Sequence, residues 1–133
     1  LSADVIRLEG GRIVPPAVDN LLEGEIVERG AATHLIAGSG VEIRVISQRR
    51  GPARAAVDPA SVLISRGPVE SSALNVLRGR VTALQERGLR IVLTADVGIP
   101  LQAHISVDSL ERLALTIGSE VFLTFKASSV TVF

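Results

Sequence analysis

The 133-residue chain has no cysteine, methionine, tryptophan or tyrosine, and only three phenylalanines. Without cysteine there is no disulfide, no thiolate nucleophile, no thiolate-ligated metal and no sign of an oxidising compartment. So few aromatic rings leave no stacking platform for single-stranded nucleic acid. An excess of one charge is also missing, because 14 basic residues balance 14 acidic ones. That neutrality removes the electrostatic footprint of a binder of duplex DNA or anionic membranes. No apolar run approaches the ~20 residues that span a bilayer, and no signal-peptide pattern opens the chain. The expectation is a cytoplasmic protein with no nucleic-acid partner and no direct membrane insertion. Hydrophobic residues nonetheless make up 47% of the sequence. The core is therefore expected to be built from Val, Ile, Leu and Ala, in one ordinary domain or two very small ones.

Period-2 alternation, the signature of half-buried strands, recurs along the chain. Val41, Ile43 and Val45 alternate with Glu42 and Arg44, and Leu77, Gly79, Val81 and Ala83 with Arg78, Arg80 and Thr82. Leu89, Ile91, Leu93 and Ala95 share a face, followed by Leu101, Ala103 and Ile105, by Val121, Leu123 and Phe125, and by Val130 and Val132. Turns are expected at Gly38-Ser39-Gly40, Arg50-Gly51-Pro52, Arg87-Gly88 and Gly98-Ile99-Pro100, spaced as in a small barrel. One segment breaks the period. Val107, Leu110 and Leu113 lie at helical spacing behind Ser106, a candidate N-cap. The fold class is all-β with one short helix.

An internal repeat organises these strands. Asn20-Leu21-Leu22-Glu23-Gly24-Glu25-Ile26-Val27 recurs as Asn75-Val76-Leu77-Arg78-Gly79-Arg80-Val81-Thr82. Val57-Asp58-Pro59-Ala60-Ser61-Val62 aligns with Phe125-Lys126-Ala127-Ser128-Ser129-Val130. The second copy is longer by about the length of the helix and its turn. The chain is accordingly divided into an opening strand pair (1–18), an abbreviated lobe (19–66) and a fuller lobe (67–133).

Four motifs in the fuller lobe carry a family resemblance. They are Ser72-Ala73-Leu74-Asn75-Val76-Leu77-Arg78-Gly79-Arg80-Val81, Ile105–Leu113, Gly118-Ser119-Glu120-Val121 and Lys126-Ala127-Ser128-Ser129-Val130. In this order, over about half of the chain, they resemble the Mop (TOBE-type) molybdate-binding domain. The first lobe looks like the more divergent TOBE segment of transporter ATPases. The opening stretch, Ala3 to Val14, is similar to the end of an ABC-type ATPase domain, with Gly10-Gly11 as a hairpin turn. The resemblance implies two OB-like small β-barrel lobes that bind molybdate or tungstate, often where two copies meet.

A tetrahedral dianion calls for convergent hydroxyl and amide donors with some positive charge. The resemblance assigns that role to Ser72, Ser106, Ser109, Lys126, Ala127 and Ser128. Taken alone, the same residues also read as a helix cap at Ser106, a solvated Lys126 and turn serines at Ser128 and Ser129. Asn20 and Asn75 read as residues that fix the start of a strand. One departure stands out. The family's S-A-R-N is Ser72-Ala73-Leu74-Asn75 here, so a leucine stands where the forked, permanently charged arginine belongs.

No G-x-x-x-x-G-K-[ST] loop exists to cradle ATP phosphates, and no G-x-S-x-G elbow or paired carboxylates point to catalysis. His34 and His104 have no ligand-spaced companions, so no metal site is expected. The sequence is read as the accessory, oxyanion-binding portion of a molybdate or tungstate import ATPase. Its expected partners are a second copy in a homodimer, the ATPase domain of its own parent chain and, through it, a membrane permease. The alternatives are a freestanding Mop-like storage protein and a purely structural ATPase dimerisation domain.

Overall fold

Because side chains alternate across a strand, the apolar runs bury one face each and pair into sheets around a shared interior. The computed structural model describes residues 19–70, 72, 73 and 75–133, together with two short backbone strands near the start. Those two are β1 (Arg7–Glu9) and β2 (Arg12–Val14), paired antiparallel with Glu9 opposite Arg12. Gly10-Gly11 and Ala3–Ile6 lie outside the described residues.

The first repeat supplies β3 (Asn20–Arg29), β4 (Ala32–Ala37), β5 (Val41–Val45), β6 (Gly51–Val57) and β7 (Leu63–Ser65). The second supplies β8 (Asn75–Arg87), β9 (Arg90–Asp96), β10 (Pro100–Ser106), β11 (Glu120–Phe125) and β12 (Val130–Val132). Helix α1 (Val107–Arg112) follows β10, and 3-10 turns occupy Pro59–Ser61 and Ala127–Ser129. The strands form two curled five-stranded sheets, ordered β12-β6-β3-β4-β5 and β10-β9-β8-β11-β7.

Each repeat lends its final strand to the other's sheet. β7 joins β11 with Ile64 opposite Leu123, and β12 joins β6 with Val130 opposite Val57. The inward faces of both sheets then meet in one core that includes Leu35, Ile43, Leu93, Leu101, Leu123 and Phe125. The Arg50-Gly51-Pro52 turn is displaced, since Gly51 and Pro52 already open β6. Pro52 is tolerated because β12 flanks β6 only from Ala55 onward, leaving Pro52 on a free edge.

Two glycines let the long strands fold over their neighbours. A Cβ on Gly24 would lie 2.1 Å from the Ile36 carbonyl oxygen, and one on Gly79 would lie 2.5 Å from the Asp96 oxygen. These are the same position of the two repeats. The alternation expected through Ala83 stops at Val81. A bulge between Val81 and Ala83 turns the strand over, so Leu84 packs against the core and Ala83 is exposed. Leu89, expected on the buried face, sits in the β8–β9 turn at 96% exposure.

Candidate functional site

The two repeats grip one another through their asparagines. Asn75, 3% exposed at the start of β8, reaches the edge strand β5 of the other sheet. The Arg44 N–H donates to Asn75 Oδ1 at 2.7 Å, and Asn75 Nδ2 donates to the Arg44 carbonyl at 3.0 Å. Asn20, at the start of β3, does the same to the edge strand β10. The Gln102 N–H donates to Asn20 Oδ1 at 2.7 Å, and Asn20 Nδ2 donates to the Gln102 carbonyl at 2.8 Å. A primary amide presents the same acceptor and donor as a peptide, so each side chain stands in for one residue of a missing strand. The asparagines expected to fix strand starts thus lock the sheets together. Their recurrence at one repeat position is the sequence signal for that role.

The 3-10 turns complete this pseudo-symmetric pair of junctions. The Ala127–Ser129 turn packs on β5, the strand of Arg44, and the Pro59–Ser61 turn packs on β10, the strand of Gln102. Lys126 precedes the first turn and Asp58 the second. Asn75 lies directly opposite Phe125, so Lys126 continues β11 past that pair. Ser72, three residues before Asn75, is exposed at the same end. Lys126, Ala127 and Ser128 therefore lie at the Asn75 end of β8, next to the strand β5 that carries Arg44. Leu74 lies outside the described residues.

Lys126 is exposed, and it is the one lysine of the chain. Among the described residues no carboxylate pairs with it, whereas most arginines are engaged. Arg78 binds Glu120, with Nε to Oε2 at 2.7 Å, and Arg80 Nη1 donates to the Gly118 carbonyl at 3.1 Å. Neither of these neighbours in sequence stands in for the arginine that Leu74 replaces.

Ser106 and Ser109 are not brought to this cluster within one chain. Ser106 pairs with Arg90, which pairs in turn with Arg87 at the far end of β8. Roughly 40 Å of strand path separates them from Asn75, at about 3.3 Å per residue. Both serines work locally. Ser106 caps α1, its Oγ accepting the Ser109 N–H at 3.0 Å and donating to Ser109 Oγ at 3.0 Å. Arg112 Nη2 donates to the same Ser109 hydroxyl at 3.3 Å. From the first repeat, Arg66 closes the other end of the helix by donating to the carbonyls of Leu113 and Ala114.

The histidines have separate surroundings. His104 Nδ1 lies 3.1 Å from Arg90 Nη1, and His34 sits opposite Arg44 across β4–β5. Among the described residues no group of His, Cys, Asp and Glu is arranged to hold a metal ion, and no helix is long and apolar enough to cross a membrane.

Residues 71–132 match the TOBE domain. Over 109 residues the chain is 33% identical to the molybdate/tungstate import ATP-binding protein WtpC of Pyrococcus abyssi, covering 81% of this chain and 32% of that protein. Molybdenum import ATP-binding protein ModC 1 of Bradyrhizobium diazoefficiens is 44% identical over 61 residues, covering 41% of this chain and 16% of that one. The chain thus spans about a third of the length of the WtpC protein it matches. A molybdate-bound crystal structure of the cytoplasmic molybdate-binding protein ModG shares the fold. Its TM-score is 0.75 at 19% identity, over 88% of this chain and 96% of that one.

Proposed function

We propose that this chain, which carries a TOBE domain and is homologous to molybdate/tungstate import ATP-binding proteins, is the accessory oxyanion-binding part of such an ATPase. The observation that carries this reading is Lys126, without a carboxylate partner among the described residues, opening the turn of Ala127 and Ser128 directly after the Phe125–Asn75 pair, with Ser72 three residues before Asn75. An ammonium flanked by hydroxyls and backbone amides suits a tetrahedral dianion such as molybdate or tungstate. Because Ser106 and Ser109 lie at the far end of β8, their hydroxyls complete such a site from a second copy. That division gives binding a means of holding subunits together.

On this reading residues 1–18 belong with the ATPase domain, and 19–66 and 67–133 are the two accessory lobes. A cytoplasmic anion bound across two accessory regions favours one arrangement of the ATPase pair, and transport through the associated permease slows when the anion is abundant. Such coupling requires a different affinity in the two arrangements. The chain itself is assigned no catalysis.

The near-complete overlap with ModG favours a second reading, a freestanding two-lobed storage protein. Calorimetric titration with molybdate, tungstate and sulfate, alongside gel filtration, tests both. Micromolar or tighter molybdate or tungstate binding that is weakened by Lys126→Ala supports an oxyanion site. Absence of heat with all three anions, with an unchanged melting temperature, leaves a scaffold that only associates subunits.

A further inference from the structure

The two junctions share one backbone geometry and carry opposite charge. At the first, Asn75 holds Arg44 and the turn opens on Lys126. At the second, Asn20 holds Gln102 and the turn opens on Asp58, whose carboxylate is spent on the Ala60 N–H at 2.9 Å. Two cations thus stand where the equivalent junction has a neutral amide and an anion. No requirement of the fold explains the difference, because both asparagines bind only backbone atoms.

Arg44 is half-buried on the outward face of β5, between the buried Ile43 and Val45. No described residue pairs with its guanidinium. Its neighbour on that face, Glu42, is taken by Arg29 at 3.0 Å. Arg50, Arg54, Arg78 and Arg112 each have a carboxylate of their own. A half-buried guanidinium without a counter-charge in the chain is open to a bound anion.

Two buried polar atoms on strands next to β5 and Lys126 also have no hydrogen-bond partner in the chain. Among the described residues they are His34 Nδ1 and Thr124 Oγ1. His34 lies directly opposite Arg44 across β4–β5. Thr124, 4% exposed, is two residues before Lys126. Among the described residues the second junction has no such atoms. Native proteins leave few buried polar groups unpaired, so both atoms are open to a further hydrogen bond from water or a bound group.

We propose that Arg44, whose backbone the Asn75 side chain holds from the opposite repeat, supplies the second positive charge of the anion site. The inference rests on the oxyanion reading above and adds to it a residue from the opposite lobe. The site is then a property of the two repeats together. A guanidinium offers forked donors to an oxyanion, which a lone lysine lacks.

The test is calorimetric titration of the full chain with molybdate, comparing wild type with Arg44→Gln, Arg44→Lys and Lys126→Ala. Glutamine is the residue at the equivalent position 102, so Arg44→Gln keeps the backbone clamp, and its unliganded melting temperature is expected to match wild type. Affinity should fall about tenfold or more, the usual loss for a charged hydrogen bond. Arg44→Lys should recover part of it. Unchanged affinity in Arg44→Gln, with Lys126→Ala still weakening binding, overturns the role of Arg44 and leaves the oxyanion site standing. A wild-type chain that binds no molybdate overturns both.

Discussion

Val130 lies directly across from Val57, so the final strand of the second repeat closes the sheet of the first. The pairing runs to the last residue, where Phe133 and Arg54 exchange both backbone hydrogen bonds at 2.8 and 3.0 Å. The two lobes are therefore interdependent: neither sheet is complete without a strand from the other repeat.

Removal of residues 130–133 should damage the first lobe, far away in sequence, before the second. Hydrogen exchange is expected to speed at the Arg54 amide while the amides of β8 and β11 keep their protection. Loss of protection centred on β11 instead would contradict the strand exchange.

Asn75→Ala deletes two hydrogen bonds and leaves the Arg44 N–H and carbonyl unpaired at a part-buried edge. Each such group costs about 1–3 kcal/mol, so chemical denaturation should show a loss of about 2–6 kcal/mol. Asn20→Ala should show a similar loss through Gln102.

Gly79→Ala pushes a methyl to within 2.5 Å of the Asp96 backbone oxygen, which cannot rotate away. Overpacking of this kind costs about 1–3 kcal/mol, read as a lower denaturation midpoint. Gly67, where an added Cβ meets nothing within 4 Å, is the control, and Gly67→Ala should stay within about 0.5 kcal/mol of wild type.

Ser106→Ala and Lys126→Ala should separate in their effects without ligand. Loss of the Ser106 cap costs about 1 kcal/mol of stability even in the absence of any anion. Lys126 makes no ion pair with a described residue, so Lys126→Ala should leave the unliganded melting temperature unchanged. Molybdate should raise the melting temperature of wild type and fail to do so for Lys126→Ala.

Much of this fold was legible in the residues. The strands around Ile43, Leu93, Leu101 and Leu123 announce themselves by alternation, and α1 by Ser106 followed by Leu110 and Leu113. What stayed hidden is long-range. Nothing local says that β7 and β12 change sheets, since three-residue strands carry too little pattern to specify a neighbour. The bulge that exposes Ala83 depends on the crossing of β8 over two partners, and the exposure of Leu89 on turn geometry. Of the proposed site, Lys126 and Ser72 were readable from a motif. Arg44 was not, because its link to Asn75 crosses 31 positions and uses only backbone atoms on the Arg44 side. The opposite locations of Ser72 and Ser106 were equally invisible, for a motif order in sequence does not say which end of a strand each member occupies.

The central claim is that one junction of each chain, and only one, takes a tetrahedral dianion. Titration of the purified chain with molybdate, with stoichiometry measured against chain concentration, tests it most directly. The account predicts a single class of sites at one anion per chain, lost in Lys126→Ala, because the second junction presents Asp58 in place of lysine. Two equivalent anions per chain, or binding that survives Lys126→Ala, would contradict it.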